Sequence, residues 1–184
     1  MTANDGRSSI EIEALRTRIR GTLARPGEVG YELSVPWNRA VEVRPTAVVA
    51  VADSRDVVET VRFAAARGYR VAVQCTGHGA VSMNGDDVLL IHTGRLGQFR
   101  IDVPARRARI GAGVLWDPVI QAAAEHGLAP ISGSSVNVGV VGFLTGGGIG
   151  PLVRTVGAGS DWVRGLDVVT GDGEQRHFSA EQDR

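Results

Sequence analysis

The residues best suited to chemistry lie in one short segment, QCTGHGA, at positions 74–80. It contains the only cysteine of the 184-residue chain, Cys75, and one of its four histidines, His78, with a glycine on each side of the histidine. Thiolate and imidazole both act as nucleophiles and as metal ligands. Three interpretations follow: a metal site, a thiolate with a histidine base, or a backbone loop around a bound anion.

The metal and thiolate interpretations both lack supporting residues elsewhere in the chain. Structural zinc needs four ligands, and the remaining histidines, His92, His126 and His177, are single and scattered. A cysteine and a histidine on one short loop are rarely oriented to bond to each other, and no motif for an oxyanion hole is visible. We therefore expect neither a metal site nor a catalytic cysteine, and the catalytic base is unknown.

The third interpretation uses the backbone of the loop. Gly77 and Gly79 allow consecutive N–H groups to point inward as an anion-binding nest, which is able to hold a pyrophosphate. Small residues at positions 75, 76 and 80 keep side chains out of the way. His78 would then lie against a large, flat cofactor whose phosphates the same loop binds.

A second glycine-rich segment, VNVGVVGFLTGGGIG, occupies residues 136–150. It lacks the G-x-G-x-x-G spacing of a dinucleotide-binding loop, as does the segment 111–113. A phosphate-binding P-loop needs a lysine, and all 20 basic residues are arginines, which also excludes a Schiff-base lysine. On its residues alone, this segment fits tight turns as well as it fits a ligand site.

Bulk composition restricts the partners and the location. The chain is 43% hydrophobic and 22% charged, as in ordinary folded soluble proteins, and its formal charges balance. This balance favours neither nucleic acid nor a membrane surface as a partner. One cysteine excludes an internal disulfide, and no signal peptide or membrane-spanning run is visible, so we predict a cytoplasmic location.

The coarse pattern of elements predicts an α+β fold with a mixed sheet. Leu15, Ile19 and Leu23 share one helical face and predict a helix over 10–24, followed by an extended arm over 29–44. A buried strand–helix–strand unit with parallel strands is then expected, in which Ser54 caps the helix. The strands of this unit cover 47–51 and 71–73, and its helix covers 54–67. The elements predicted after it are a strand over 88–91, a hairpin of 99–103 with 108–111, a helix over 117–127 and a hairpin of 166–170 with 175–178.

Several short motifs, in this order and spacing, resemble one protein family. They are PWN at 36–38, RP at 44–45, SRDV at 54–57, VAVQCTGHGA at 71–80, RARIGAGVLW at 107–116, VGVVGFLTGGGIG at 138–150 and DWVRGLDVVTGDGE at 161–174. From about residue 26 to residue 178 the chain is similar to the FAD-binding (PCMH-type) domain of the vanillyl-alcohol-oxidase superfamily. Within it, the chain resembles the bacterial berberine-bridge-enzyme-like and 6-hydroxynicotine-oxidase-like flavoproteins.

The resemblance implies an architecture. The expected fold has two small mixed α/β subdomains, preceded by an N-terminal helix and extended arm over 1–39. Residues 40–184 would form the FAD-binding domain, incomplete at its C-terminus, and the substrate domain that follows in the family would be absent.

The resemblance also implies FAD as the cofactor and assigns the first loop to it. In this family, the amides of that loop bind the pyrophosphate, and its histidine is commonly joined through an imidazole nitrogen to the 8α carbon of the flavin. The matching cofactor-binding residues are Gln74, Cys75, Thr76, Gly77, His78, Gly79 and Ala80, with His78 as the covalent attachment. The loop departs from the common Arg-Ser-Gly-Gly-His form, because Gln74 replaces the arginine and Thr76 replaces a glycine.

A second set of cofactor residues follows from the same resemblance: Ser135, Val138, Gly139, Gly142, Gly146 and Gly147. Ser135 stands where some members carry a cysteine that forms a second flavin bond, so a single linkage is expected. Val138 matches a position that lines the flavin, where a small valine accompanies reactivity with oxygen. The glycines would let the backbone approach the ribityl chain and ring.

The function implied is that of an FAD-dependent oxidoreductase. The enzyme would take a hydride from a C–H bond of a small-molecule substrate and pass the electrons to O2, as an oxidase. The family's substrate domain usually provides the catalytic base. The alternative is a truncated or stand-alone flavin-binding module without catalytic turnover.

Overall fold

The computed structural model describes residues 11–179. The described chain divides into two compact units, the first formed by residues 11–95 and 167–177 and the second by residues 96–166 and 178–179. Both combine helices with strands, so the predicted α+β class with two small subdomains is confirmed.

A four-stranded mixed sheet forms the centre of the first unit. The strands before residue 95 are β1 (Thr22–Ala24), β2 (Val43–Arg44), β3 (Ala47–Ala50), β4 (Arg70–Gln74), β5 (Met83–Asn84) and β6 (Val88–His92). The order in the main sheet is β1-β3-β6-β4, where β3 and β4 run parallel to β6 and β1 runs antiparallel to β3. The short strands β2 and β5 pair separately and are also parallel.

The predicted parallel strand–helix–strand unit is confirmed, with β6 inserted between its two strands. Helix α2 (Ser54–Arg67) connects β3 to β4 and ends at Gly68, whose φ of 72° is the left-handed conformation that glycine favours. The predicted cap at Ser54 is wrong by one residue. Asp53 is the N-cap, and its side chain accepts a hydrogen bond from the Asp56 amide at 3.1 Å.

The first unit is most deeply buried along β3 and β6. Their residues 47–50 and 88–91 are all buried, as expected for parallel strands covered on both faces. β4 lies at the edge of the described sheet, where Val71 is 38% and Val73 is 68% exposed. Ala72 and Gln74, on the opposite face, are buried, so the prediction of a buried strand is right for one face only.

The predicted helix over 10–24 is also wrong. Residues 11–16 form a helix (α1), and the chain then turns into β1. Residue 10 lies outside the described residues. Leu15 and Leu23 are both buried, but from two different elements. A Cβ on Gly21 would lie 2.1 Å from the carbonyl oxygen of Ala50, so a glycine is required where the segment turns onto β3.

The N-terminal segment joins the sheet of the first unit rather than standing apart from it. The fully buried carboxylate of Asp56 accepts hydrogen bonds from the amides of Arg20 and Gly21, each at 2.8 Å. Residues 29–44, predicted as an extended arm, contain a 3-10 helix at Tyr31–Ser34 and the strand β2. The boundary between residues 39 and 40 stays a prediction.

The second unit packs helices around a small apolar cluster. Its elements are β7 (Phe99–Asp102), β8 (Arg107–Ile110), α3 (Trp116–Ala124), α4 (Val140–Thr145), α5 (Val153–Val156) and a 3-10 helix at Gly159–Trp162. Its core contains Val114, Trp116, Val119 and Val140, and the rings of Trp116 and Phe143 meet edge to face at 5.6 Å. The predicted hairpin β7–β8 is confirmed.

The helix predicted over 117–127 begins one residue earlier than expected and ends at Ala124. The last predicted hairpin is present as β9 (Gly165–Val169) and β10 (Gln175–Ser179), joined by a turn in which Gly173 has a φ of 77°. Across residues 11–179, no helix is both long and apolar enough to cross a membrane.

Candidate cofactor-binding site

The loop over 75–80 leaves the carboxyl end of β4, and its first turn is held in place by Gln74. This side chain is buried and donates from Nε2 to the carbonyl oxygen of Leu33 at 3.0 Å. The backbone carbonyl of Gln74 accepts a hydrogen bond from the amide of Thr93 at 2.9 Å. Gln74 thus fixes the start of the loop, and its contact with a cofactor stays a prediction.

The two glycines of the loop have different surroundings. Gly77 has a φ of 73°, and a Cβ there would lie 2.7 Å from both Cα and Cβ of Pro36. Gly79 has no left-handed φ, and a Cβ there would meet no atom within 4 Å. Gly77 is therefore required by the protein's own packing, whereas Gly79 faces open space.

Four consecutive backbone amides of this loop have no acceptor in the described part of the chain. They belong to Thr76, Gly77, His78 and Gly79, while the next amide, that of Ala80, donates to the carbonyl oxygen of Gly77 at 3.2 Å. Backbone N–H groups in folded proteins are nearly always paired with protein or with ordered water. A run of unpaired donors at a tight turn is the arrangement that binds anions such as phosphate.

His78 lies in the middle of this run and is half-buried. Its Nε2 atom is buried without a hydrogen-bond partner, and its ring stacks on that of Trp37, with centroids 4.6 Å apart and planes inclined by 20°. A buried polar atom that lacks a partner costs about 1–3 kcal/mol. The imidazole is therefore oriented by an aromatic contact, and its buried Nε2 atom has no hydrogen-bond partner among the described residues.

Burial shifts the pKa of Cys75, in this loop, and of His92, at the end of β6, in the directions that favour their neutral forms. Burial raises the pKa of the Cys75 thiol, against the opposing effect of its hydrogen bond with Thr93. Burial lowers the pKa of His92, whose Nδ1 atom accepts a hydrogen bond from the Gly94 amide at 3.3 Å. A neutral thiol is a weak nucleophile, and residues 11–179 contain no cluster of three or more metal-ligating side chains.

In the second unit, the segment 136–140 is bonded to the start of α3. The carbonyl oxygen of Val138 accepts a hydrogen bond from the Trp116 amide at 3.1 Å, and the Val140 amide donates to the carbonyl oxygen of Val114 at 2.9 Å. Val138 is half-buried and packs against the core cluster, and Gly139 precedes the first turn of α4. This segment is held rigidly by the fold of its own unit.

The glycines that follow α4 are explained by the turn they form. Gly147 and Gly148 have φ values of 105° and 71°, and their carbonyl oxygens accept hydrogen bonds from the amides of Ser160 and Gly159. A Cβ at Gly148 would lie 2.8 Å from Cα of Gly159. Gly146 ends the helix, with its amide bonded to the carbonyl oxygen of Gly142.

Three of the six residues predicted in this unit are exposed: Ser135, Gly142 and Gly146. A Cβ added at Gly142 would meet no described atom within 4 Å. Contact of the set with a cofactor stays a prediction for all six residues.

The sequence interpretation did not find Trp37. The PWN motif marks the resemblance to the family, but it assigns no role to Trp37. The contact between Trp37 and His78 joins two parts of the chain that are distant in sequence. Trp37 is 67% exposed, which is unusual for a large aromatic side chain. An exposed indole stacked on an imidazole is a signal that only the structure supplies.

Comparisons with known proteins identify the family of the chain. The family model described as "FAD binding domain" matches residues 45–179. The (R)-6-hydroxynicotine oxidase of Paenarthrobacter nicotinovorans is 30% identical over 168 residues, which cover 89% of this chain and 36% of that protein. An FAD-linked oxidoreductase of Trichophyton verrucosum is 36% identical over 143 residues, covering 71% of this chain and 24% of that protein.

Solved structures confirm the fold. The crystal structure of 6-hydroxy-D-nicotine oxidase from Arthrobacter nicotinovorans superposes with a TM-score of 0.81 at 29% identity, covering 90% of this chain and 37% of that chain. A berberine-bridge-enzyme-like protein of Physcomitrella patens superposes with a TM-score of 0.78 at 23% identity, which supports the fold alone. The chain spans less than two-fifths of the length of these relatives. From this match over most of its length, the chain belongs to the FAD binding domain family, and FAD is the cofactor of that family.

Proposed function

We propose that this chain is the FAD-binding portion of a flavin-dependent oxidase that takes a hydride from a substrate C–H bond and passes the electrons to O2, with FAD linked through His78. One observation carries the proposal. Four consecutive free amides lie beside a buried imidazole nitrogen that has no partner. The free amides suit a diphosphate, and the imidazole suits a ring system held next to that diphosphate.

The residues of the loop fit FAD. The amides of residues 76–79 would hold the pyrophosphate, and the open space at Gly79 leaves room for its oxygens. Because Gln74 replaces the arginine common in the family, the backbone must provide most of the attraction for the phosphates. Bound FAD supplies the two-electron acceptor for substrate oxidation.

His78 is the proposed attachment point. A neutral imidazole nitrogen is a good nucleophile toward an electron-poor carbon. The bond would replace one hydrogen of the 8α carbon by this nitrogen, with loss of two protons and two electrons overall, and O2 would be the oxidant that is reduced to H2O2. Burial raises the pKa of the Cys75 thiol, which makes it a weaker competing nucleophile.

The choice of O2 as the electron acceptor has two supports. The resemblance places a small valine, Val138, at a position that lines the flavin, and the similar protein of Paenarthrobacter nicotinovorans is named an oxidase. Ser135, at the place of the family's second flavin ligand, supports a single linkage. The similarity to this oxidase also supports a small-molecule substrate. The family's substrate domain would be the expected place where that substrate binds.

A second candidate is a flavin-binding module without turnover. The match to the oxidase of Paenarthrobacter nicotinovorans covers 36% of that protein, so this similarity supports the FAD-binding part of its function alone. Substrate-dependent reduction of the bound flavin would distinguish the oxidase from this module.

Acid precipitation of the purified chain tests the linkage. Wild-type protein expressed with FAD should give a yellow pellet, whereas His78→Ala should bind FAD but release all colour to the supernatant. His92→Ala is the matched control, and its pellet should stay yellow. A colourless wild-type pellet under a yellow supernatant would refute the covalent bond, and protein that never becomes yellow would refute FAD binding.

A further inference from the structure

Trp37 combines high exposure with a defined partner. The indole is 67% exposed, yet its ring lies 4.6 Å from that of His78 and nearly parallel to it. Exposing a large apolar surface is unfavourable in water. The indole of Trp37 is nevertheless exposed at the position where its ring contacts the imidazole of His78.

The backbone around Trp37 is fixed to the same loop. The Trp37 amide donates to the carbonyl oxygen of Thr76 at 3.0 Å, and the preceding Pro36 packs directly against Gly77. Earlier in the arm, the carbonyl oxygens of Leu33 and Ser34 both accept hydrogen bonds from Nε2 of Gln74. These contacts tie the arm to the loop and hold the indole beside the imidazole.

Within residues 11–179, no hydrogen bond orients the imidazole through its buried nitrogen, Nε2. In most sites where a histidine acts through one nitrogen, a hydrogen bond to the other nitrogen sets the ring orientation. Here the stacked indole restrains rotation of the ring instead. Stacking fixes the ring plane without consuming a nitrogen lone pair, which leaves the imidazole nucleophilic.

We propose that Trp37 is a positioning residue for flavin attachment, and this inference rests on the proposed function. Its indole holds the His78 ring in one plane, so the ring would need no reorientation before one of its nitrogens bonds to the flavin. Trp37 therefore controls how fast the bond forms and has little influence on how tightly FAD binds, because the amides of residues 76–79 supply the phosphate contacts.

The test measures attachment and binding separately. The full chain is prepared without flavin from riboflavin-limited cells and mixed with FAD, and samples are acid-quenched to follow protein-bound flavin fluorescence on denaturing gels. Trp37→Ala and Trp37→Leu should slow attachment by about 10-fold to 100-fold, because a misplaced reacting group costs rates of this order. The dissociation constant of the initial FAD complex should change less than about threefold.

Trp37→Phe keeps an aromatic face and should restore most of the rate. Val29→Ala removes another exposed apolar side chain from the same arm and should behave as wild type, since Val29 is 97% exposed. Circular dichroism spectra confirm that each variant is folded, and the leucine variant keeps the test valid if the alanine variant does not fold.

The outcomes separate this inference from the proposed function. Attachment at the wild-type rate in both Trp37→Ala and Trp37→Leu overturns the positioning role and leaves the linkage intact. Loss of FAD binding in Trp37→Leu or Trp37→Phe also overturns it, because Trp37 would then be a binding residue. Absence of protein-bound flavin in the wild type refutes the linkage and, with it, this inference.

Discussion

The two glycine-rich segments of this chain look alike in sequence but differ in how their backbones are bonded. In the loop over 75–80, four consecutive amides have no acceptor within the described chain. In the segment 138–148, the backbone groups of Val138, Val140 and Gly146–Gly148 are largely bonded inside their own unit. Glycine therefore has two uses here: it leaves donors open in the first segment, and it allows a tight turn in the second.

The comparison shows that glycine content alone does not mark a ligand site. Gly147 and Gly148 are accounted for by a turn onto residues 159–160 and need no cofactor to explain them. Gly79 has no such internal reason, because nothing lies near the position of its missing side chain. Free donors and unexplained open space, rather than glycine itself, distinguish the first segment.

The largest effect is expected at Gly77, with Gly79 as its matched control. Gly77→Ala forces an alanine into a left-handed φ and against Pro36, so we expect a loss of about 2–4 kcal/mol in the free energy of unfolding. Gly79→Ala should change stability by less than about 0.5 kcal/mol but weaken FAD binding, because its methyl group would fill the open space. Urea denaturation and FAD titration measure the two effects.

An equal loss of stability in the two variants would contradict the distinction between a packed and an open glycine. Unchanged FAD binding in Gly79→Ala would show that the open space at Gly79 is not used by the cofactor.

The same comparison in the second unit should give a smaller effect. Gly148→Ala places a Cβ 2.8 Å from Cα of Gly159 at a φ of 71°, and about 1–3 kcal/mol of stability should be lost. Gly142→Ala adds a methyl group to open space within α4 and should stabilise the chain by up to about 1 kcal/mol. Thermal unfolding of both variants without FAD measures these changes.

FAD titration of Gly142→Ala then sharpens the comparison. A stabilised variant that binds FAD less tightly would place the cofactor at this glycine, as the resemblance implies. A stabilised variant with unchanged affinity would remove Gly142 from the cofactor-binding set.

The smallest effect is expected at the ion pair that anchors β4 ahead of the loop. Arg70 donates two hydrogen bonds of 2.7 Å to the carboxylate of Asp87, and these bonds hold the pKa of Asp87 below its usual value. A lowered pKa gives stability that is present above the usual carboxylate range and is lost as the pH falls through the lowered pKa. Both side chains are more than half exposed, so the contribution is small.

Asp87→Asn should therefore lower the thermal midpoint slightly at pH 7, and the difference from wild type should shrink below about pH 4. Melting curves across this pH range test the effect, and FAD binding at pH 7 should be unchanged because the loop itself is intact. A difference that grows on acidification would contradict the role assigned to this pair.

Sequence patterns were sufficient where the signals were local. The helix ending at Gly68 and the hairpin β7–β8 follow from turn residues and apolar runs, and both are present. The helix predicted over 10–24 failed because Leu15 and Leu23 satisfy a helical period while being buried by two separate elements. Pairing of β1 with β3 overrides the local pattern there.

The candidate site, like the fold, could be predicted from the sequence only in part. The motif around His78 and the resemblance identified the loop, but the free amides and the unpartnered Nε2 required coordinates. The stacking of Trp37 on His78 joins residues far apart in the chain, and no periodicity or spacing encodes such a contact.

The most direct test of the flavin attachment is to locate the adduct within one peptide. All basic residues are arginines, so trypsin releases residues 71–95 as a single fragment that contains Cys75, His78 and His92. Fragmentation of this peptide from FAD-loaded protein should place a flavin on His78 and leave the other two residues unmodified. A flavin on Cys75 or His92, or an unmodified peptide from yellow protein, would contradict attachment through His78.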